Sequence, residues 1–171
     1  MTTTIALLND TVIGLEKLGF TVEVDSPKDP DGESFLDIAK GEFSTQISFR
    51  PGVGLGVFIS EPAFGQRPDE IYRSAEKAVQ RADQLFQQFV KSGTVGYLSL
   101  LEMRELNKLS QVELANALSI KQPSVTRIEK RENVKIDTLA KHVEAMGGRL
   151  EMRVLFDEME ARLELPALKV G

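Results

Sequence analysis

The stretch Ser110-Gln-Val-Glu-Leu-Ala-Asn-Ala-Leu118, followed by Ser119-Ile-Lys121 and then Gln122-Pro-Ser-Val-Thr-Arg-Ile-Glu-Lys130, decides how this chain is read. Ser110 with Glu113 three residues later is a capping box, in which each partner satisfies a backbone N–H that a helix start leaves open, so the first helix begins here. Ala115 is small where two helices must cross closely. Leu114, Leu118, Ile120, Val125 and Ile128 have the spacing that places all five between the two helices. With Val125 and Ile128 inward, Pro123, Thr126, Arg127 and Lys130 share the outward face of the second helix, and Gln122 and Ser124 sit at its margins. Amide, hydroxyl and guanidinium groups presented together are the chemistry that reads base edges in a major groove. The competing reading is a plain helical hairpin whose apolar spacing is core packing alone. It needs the cap, the small residue, the turn and the polar face to coincide by chance.

Over about Leu98 to Met146 the arrangement resembles the lambda-repressor-like (Xre/Cro) family of helix-turn-helix regulators. The resemblance implies a sequence-specific regulator, repressor-like, that binds double-stranded operator DNA as a homodimer. It implies that Gln111 touches the DNA backbone and that Gln122, Ser124, Thr126 and Arg127 contact bases or phosphates. Lys130 and Arg131 are candidate phosphate contacts by charge, against the alternative of a solvated run, and Lys121 is either a phosphate contact or a solvated lysine. Two positions depart from the family pattern. Ser119 stands where the turn usually has glycine, and a non-glycine left-handed residue costs on the order of 1 kcal/mol. Lys121 replaces the usual Ser or Thr N-cap, forgoing about 1 kcal/mol of capping. The segment Met146-Gly-Gly-Arg-Leu-Glu-Met-Arg-Val154 resembles family members that act as antitoxins in bacterial toxin–antitoxin operons.

Working outward, periodicity predicts helices over Leu98–Leu106, Gln111–Leu118, Gln122–Lys130 and Ile136–Met146, the last stopped by Gly147-Gly148. From Arg149 to Phe156 the period changes from 3.6 to 2, with Leu150, Met152, Val154 and Phe156 on one side and Arg149, Glu151 and Arg153 on the other. A lone strand must join a sheet, either on the first domain or with its copy in a second chain. The charges favour self-pairing: with Met152 opposite Met152, Glu151 faces Arg153 of the second copy and Leu150 faces Val154. Leu150, Glu151, Met152, Arg153 and Val154 are therefore the expected dimerisation residues.

The first part of the chain reads as a small α+β domain. Ile5, Leu8, Val12 and Leu15 form a helical face ended by Gly19, and Phe20–Val24 alternates like a strand. Ser26–Gly32 is a loop, Phe35–Ala39 and Glu42–Phe49 a hairpin, and Leu55–Ile59 a further strand. A long helix is expected from about Pro68 to Val90, with Asp69 and Glu70 suiting its first turn and Ile71, Ala75, Ala78, Val79, Ala82, Leu85, Phe86 and Phe89 as its stripe. The expected architecture is an antiparallel sheet with two helices on one face, then an all-α helix-turn-helix domain with a C-terminal strand. Ser92–Gly96 is the expected linker, which divides the chain into 1–92, 97–157 and a tail over 158–171.

The net charge of −5 resolves on division: residues 1–96 carry 9 Lys/Arg against 14 Asp/Glu, and residues 97–171 carry 12 of each. Around the motif, Lys121, Arg127, Lys130, Arg131 and Lys135 are opposed locally by Glu129 and Glu132, and local cations matter more to DNA than the whole-chain sum. The acidic first domain suits a basic protein, such as a toxin, or a small effector. An adaptor whose helical domain binds protein or RNA is the alternative reading. No cysteine is present, which excludes disulfides and thiolate metal sites and fits a reducing cytoplasm. The N-terminus lacks a secretory pattern and no apolar run spans a bilayer, so a cytoplasmic protein without membrane contact is expected. An enzyme is not expected, nor a cofactor or metal. One mid-helix histidine, His142, builds no nucleophile–base set. Gly52-Val-Gly-Leu-Gly56 lies between strands where a phosphate loop would open a helix. Asp29, Asp31 and Glu33 lack the calcium-loop pattern.

Overall fold

Gly19, at φ 83°, takes the left-handed turn that ends the first helix α1 (Thr2–Lys17) and returns the chain as a strand. The structure, a computed structural model, describes residues 2–29, 32–59, 67–156 and 159–163. Contacts divide it into two units, Met1–Leu98 and Ser99–Gly171.

In the first unit, β1 (Thr21–Asp25), β2 (Ser34–Lys40), β3 (Phe43–Arg50), β4 (Gly54–Val57) and β5 (Glu70–Tyr72) form an antiparallel meander in sequence order. The register aligns Val22 with Ile38, Leu36 with Ile47, Ile47 with Val57, and Leu55 with Tyr72, which gathers the apolar residues on one face. Leu15 of α1 and Ala78, Ala82 and Leu85 of α2 (Ala75–Ser92) complete this core. Phe20, Phe43 and Phe86 meet edge to face, with ring centroids 5.9 to 6.3 Å apart. The Ile5 side chain expected on the α1 face lies outside the described ones.

Two expectations for this unit are corrected. Pro68 does not open the second helix, because residues 70–72 form the fifth strand and α2 begins after Ser74. Asp69 and Glu70 are committed elsewhere: Asp69 accepts the Ile59 N–H at 2.9 Å, and Glu70 holds Arg81 and Tyr72. The open edge of β4 would otherwise leave backbone groups unpaired, so pairing overrides helical periodicity here. Ile71 consequently leaves the helical stripe and is half exposed. The segment over Ser92–Gly96 is not a free linker either. Ser92 is helical, Gly93 closes α2 at φ 71°, and Gly96 is held at both ends of its peptide groups. Its N–H donates to Gln88 Oε1 and its carbonyl accepts from Arg81 Nη2, both at 2.8 Å. Residues 60–66, and Asp31 of the acidic group tested for calcium, lie outside the described residues.

The second unit contains α3 (Leu100–Leu106), α4 (Gln111–Ala117), α5 (Gln122–Glu129) and α6 (Ile136–Ala145). Leu114, Ala115, Val125 and Met146 form its buried centre, with Leu100, Met103, Leu109, Leu118 and Ala145 packed around them. Ile120, expected between α4 and α5, is more than a third exposed. Left-handed Ser119, at φ 55°, breaks the helical period, so the spacing that buries Leu114 does not carry through the turn. Gly147, at φ 82°, ends α6 as expected, with the Gly148 N–H on Val143 O at 2.9 Å.

The C-terminal strand is β6 (Met152–Phe156), and it is not alone. It pairs antiparallel with β7 (Met159–Leu163), residues expected in the tail. Met159-Glu-Ala-Arg-Leu163 alternates with period 2, so the second strand is also written in the sequence. Residues 157, 158 and 164–171 lie outside the described ones.

The backbone geometry predicts opposite outcomes at two turns. A Cβ added at Gly54, where φ is 127°, would be driven into the Tyr72 carbonyl oxygen on the neighbouring strand. Gly54→Ala should therefore destabilise the chain by about 2–3 kcal/mol. Ser119→Gly should instead stabilise it by up to about 1 kcal/mol, because the left-handed strain is relieved at the cost of some unfolded-state entropy. Thermal and denaturant melts of the two variants read both signs; equal melting points would contradict the geometry.

Candidate nucleic-acid interface

The turn between α4 and α5 is set by caps and by one strained residue. Ser110 caps α4 reciprocally: its Oγ accepts the Glu113 N–H at 3.1 Å, and Glu113 Oε2 accepts the Ser110 N–H at 2.7 Å. The Ser110 backbone N–H, and after it the Ser110 hydroxyl, hold the Glu113 carboxyl below the usual carboxylate range. Their contribution is present above the unfolded-state value and fades as pH falls through the lowered one. Lys121 takes the N-cap position of α5 with extended backbone and makes no side-chain cap, while Pro123 occupies the first turn, where its missing N–H costs nothing.

Val125 is completely buried, which turns the opposite side of α5 outward. Lys121, Gln122, Arg127, Lys130 and Arg131 are exposed, and Gln111, Ser124 and Thr126 are half-buried. Three of the expected site residues are bonded to one another. Gln111 Oε1 accepts from Gln122 Nε2 at 2.6 Å and from Thr126 Oγ1 at 2.9 Å. Gln111 on α4 is thereby joined to the first turn of α5, which fixes how the two helix starts sit together.

Two residues beneath this row were not singled out by the sequence. Glu129, counted as a surface opponent of the basic cluster, has only 1% of its side chain exposed. Arg104 of α3 donates to it through Nε at 2.6 Å and Nη2 at 3.4 Å, and also to the Leu109 carbonyl through Nη1 at 2.7 Å. Glu129 Oε2 then accepts from Gln111 Nε2 at 2.9 Å. The carboxylate is thus withdrawn from the surface, leaving the exposed cations around α5 less compensated than the sequence count implied. The missed signal was the residue pairing: a glutamate on the inner side of α5 needs a buried cation, and Arg104 is the arginine on α3. The capping box Ser99-Leu-Leu-Glu102 was equally legible and starts α3 at Leu100.

The remaining candidates fall elsewhere. His142 is buried, with Nδ1 2.8 Å from the Thr138 carbonyl one turn earlier, a local structural bond. Of the expected dimerisation residues, Met152, Arg153 and Val154 lie on β6, whereas Leu150 and Glu151 precede it. Glu151 is paired within its own chain, to Arg149 and to Arg162 at 3.3 Å. That pairing competes with the expected exchange between Glu151 and Arg153 of two copies. Gly52, Gly54 and Gly56 serve a turn and a crowded sheet: a Cβ on Gly56 would meet Pro68 and Ser48. Among the described residues no helix is long and apolar enough to cross a membrane.

Residues 76–155 match a family described as a helix-turn-helix domain. The match begins inside α2 and ends inside β6, so it takes in all four helices of the second unit together with the helix that precedes them. A comparison with curated proteins returns no match. The geometry is consistent with that match: within residues 76–155, α4 and α5 are two helices joined by the tight turn at Ser119.

Proposed function

We propose that this protein is a sequence-specific DNA-binding transcriptional regulator of the lambda-repressor-like kind, with α5 lying in the major groove of its operator. The observation that carries this reading is the outward side of α5, opposite a buried Val125, where Gln122 and Thr126 are bonded to Gln111 and Arg127 is exposed. Gln122 gives one amide N–H to Gln111. Its Oε1 and second N–H match the N6 and N7 edge of adenine, with only a long 3.3 Å contact to Thr126 competing. Arg127 matches guanine in the same way, and Lys121, Lys130 and Arg131 supply the phosphate contacts.

One such helix reads only a few base pairs, so we take the working form to be a homodimer. The hairpin supports it. By register, Met152, Val154 and Phe156 share a face with Met159 and Ala161, and Phe156 and Met159 are 61% and 54% exposed. A two-stranded ribbon with an open apolar face is marginal alone and gains stability by being covered. The apolar face, and not the Glu151–Arg153 charges, therefore carries the proposed contact. The acidic first unit would take a basic protein or a small effector, and an antitoxin role in a toxin–antitoxin operon is the narrower form of the proposal. A basic protein encoded beside this one that co-purifies with it would support that form; a neighbour that leaves it unbound would remove it.

Arg127→Ala and Gln122→Ala should each lose about 1–3 kcal/mol on the operator and little on random duplex. Lys130→Ala should weaken both alike and flatten the salt dependence by about one unit of slope. Titrations at several salt concentrations separate these outcomes. Operator preference untouched by Arg127→Ala and Gln122→Ala would remove α5 as the reading helix.

A further inference from the structure

We infer that the buried Arg104–Glu129 pair is a positioning device that sets which hydrogen-bonding groups α5 offers to a base. The inference rests on the reading of α5 as the DNA-reading helix. An amide side chain is nearly symmetric in shape, so its oxygen and nitrogen exchange places by a half-turn unless something distinguishes them. Glu129 distinguishes them. An ionised carboxylate accepts hydrogen bonds and donates none, and with 1% exposure it is kept from solvent and anchored by Arg104. Gln111 must then present Nε2 to Glu129 at the end of α5, as observed at 2.9 Å, which turns Oε1 toward Gln122 and Thr126 nearer its start.

The polarity passes onward by the same logic. An oxygen at that place takes donors, so Gln122 turns Nε2 toward it and Thr126 spends its single hydroxyl proton on it. What remains on Gln122 for a ligand is Oε1 and the N–H whose other contact is the long 3.3 Å one to Thr126 Oγ1, and what remains on Thr126 is acceptor capacity on that oxygen. If the Gln111 amide turned over, its nitrogen would meet Gln122, which would have to answer with Oε1. The donor and acceptor left for a base would then change places. The charge buried between α3 and α5 thus selects one of two surface patterns, although neither Arg104 nor Glu129 is placed to touch DNA.

The test uses the full-length protein and a duplex in which the base pair read by Gln122, identified as the one whose preference Gln122→Ala abolishes, is varied over all four possibilities. Glu129→Gln removes the pure acceptor and should lower discrimination at that pair about tenfold, leaving discrimination at the other pairs within about twofold. Glu129→Gln strands a buried arginine and is at risk of unfolding, so the double variant Arg104→Met/Glu129→Leu, which removes both charges, is the companion; such replacements are often neutral or stabilising. It should melt near the wild type and show the same loss at the same pair, with no further loss when Gln122→Ala is added. In the unmodified protein, the Gln111 side-chain amide protons should exchange with solvent more slowly than those of exposed Gln87. Full discrimination in a folded double variant, or Gln111 protons exchanging as fast as those of Gln87, would overturn the inference. A wild type that selects no sequence would instead defeat the proposed function itself, so the two failures are distinct.

Discussion

A carboxylate taken almost completely out of water has to be met by donors, and in the second unit that requirement falls on Glu129. Arg104 brings two donors from α3, and its third bond to the Leu109 carbonyl fixes it at the entry to α4. Gln111 brings another from the start of α4. One buried charge therefore ties together α3, α4 and α5 beside the apolar centre of Leu114, Ala115 and Val125. Apolar packing is not directional, and it would tolerate some rotation of α5 about its own axis. The hydrogen bonds do not. Removing one partner of such a pair costs about 3–5 kcal/mol, because the other is left charged and buried, so the pair specifies an arrangement as well as joining it.

Specification of this kind suits a helix that must meet a groove in one orientation. Base reading depends on donors and acceptors held to within fractions of an ångström, and preorganised side chains lose less entropy on binding. The two departures from the family pattern can be understood against this. Ser119 accepts left-handed strain, and Lys121 gives up a side-chain cap, yet α5 keeps its place because the Gln111–Gln122–Thr126 bonds act at its first turn. In the proposed reading Lys121 in exchange leaves a cation at the start of α5, available to a phosphate.

Much of this was legible in the sequence, for reasons that differ by element. Helices α4, α5 and α6 were readable because each has a local signature: the Ser110–Glu113 box, Val125 and Ile128 on one face, and the Gly147 stop. The left-handed turn at Ser119 was expected from the family resemblance, whose pattern has glycine at that position. Long-range partners were not. β5 has three residues, Glu70–Tyr72, too few to show a period, and their helix-friendly neighbours masked them until the open edge of β4 supplied a partner. Glu129 looked like one more surface charge because nothing local marks a residue as buried when its partner lies 25 positions earlier. In the hairpin both strands alternate with period 2, but the Gly147-Gly148 helix stop marks the approach to Met152–Phe156 and no such local signal marks Met159–Leu163.

The central claim is that the polar row on α5 reads DNA sequence. It is tested most directly by letting the full-length protein choose its ligand from a pool of randomised duplexes. The account predicts enrichment of one site made of two inverted half-sites whose centres are about one helical turn, or a multiple of it, apart. Recovery of duplexes with no shared sequence, at affinities that merely follow salt, would contradict it.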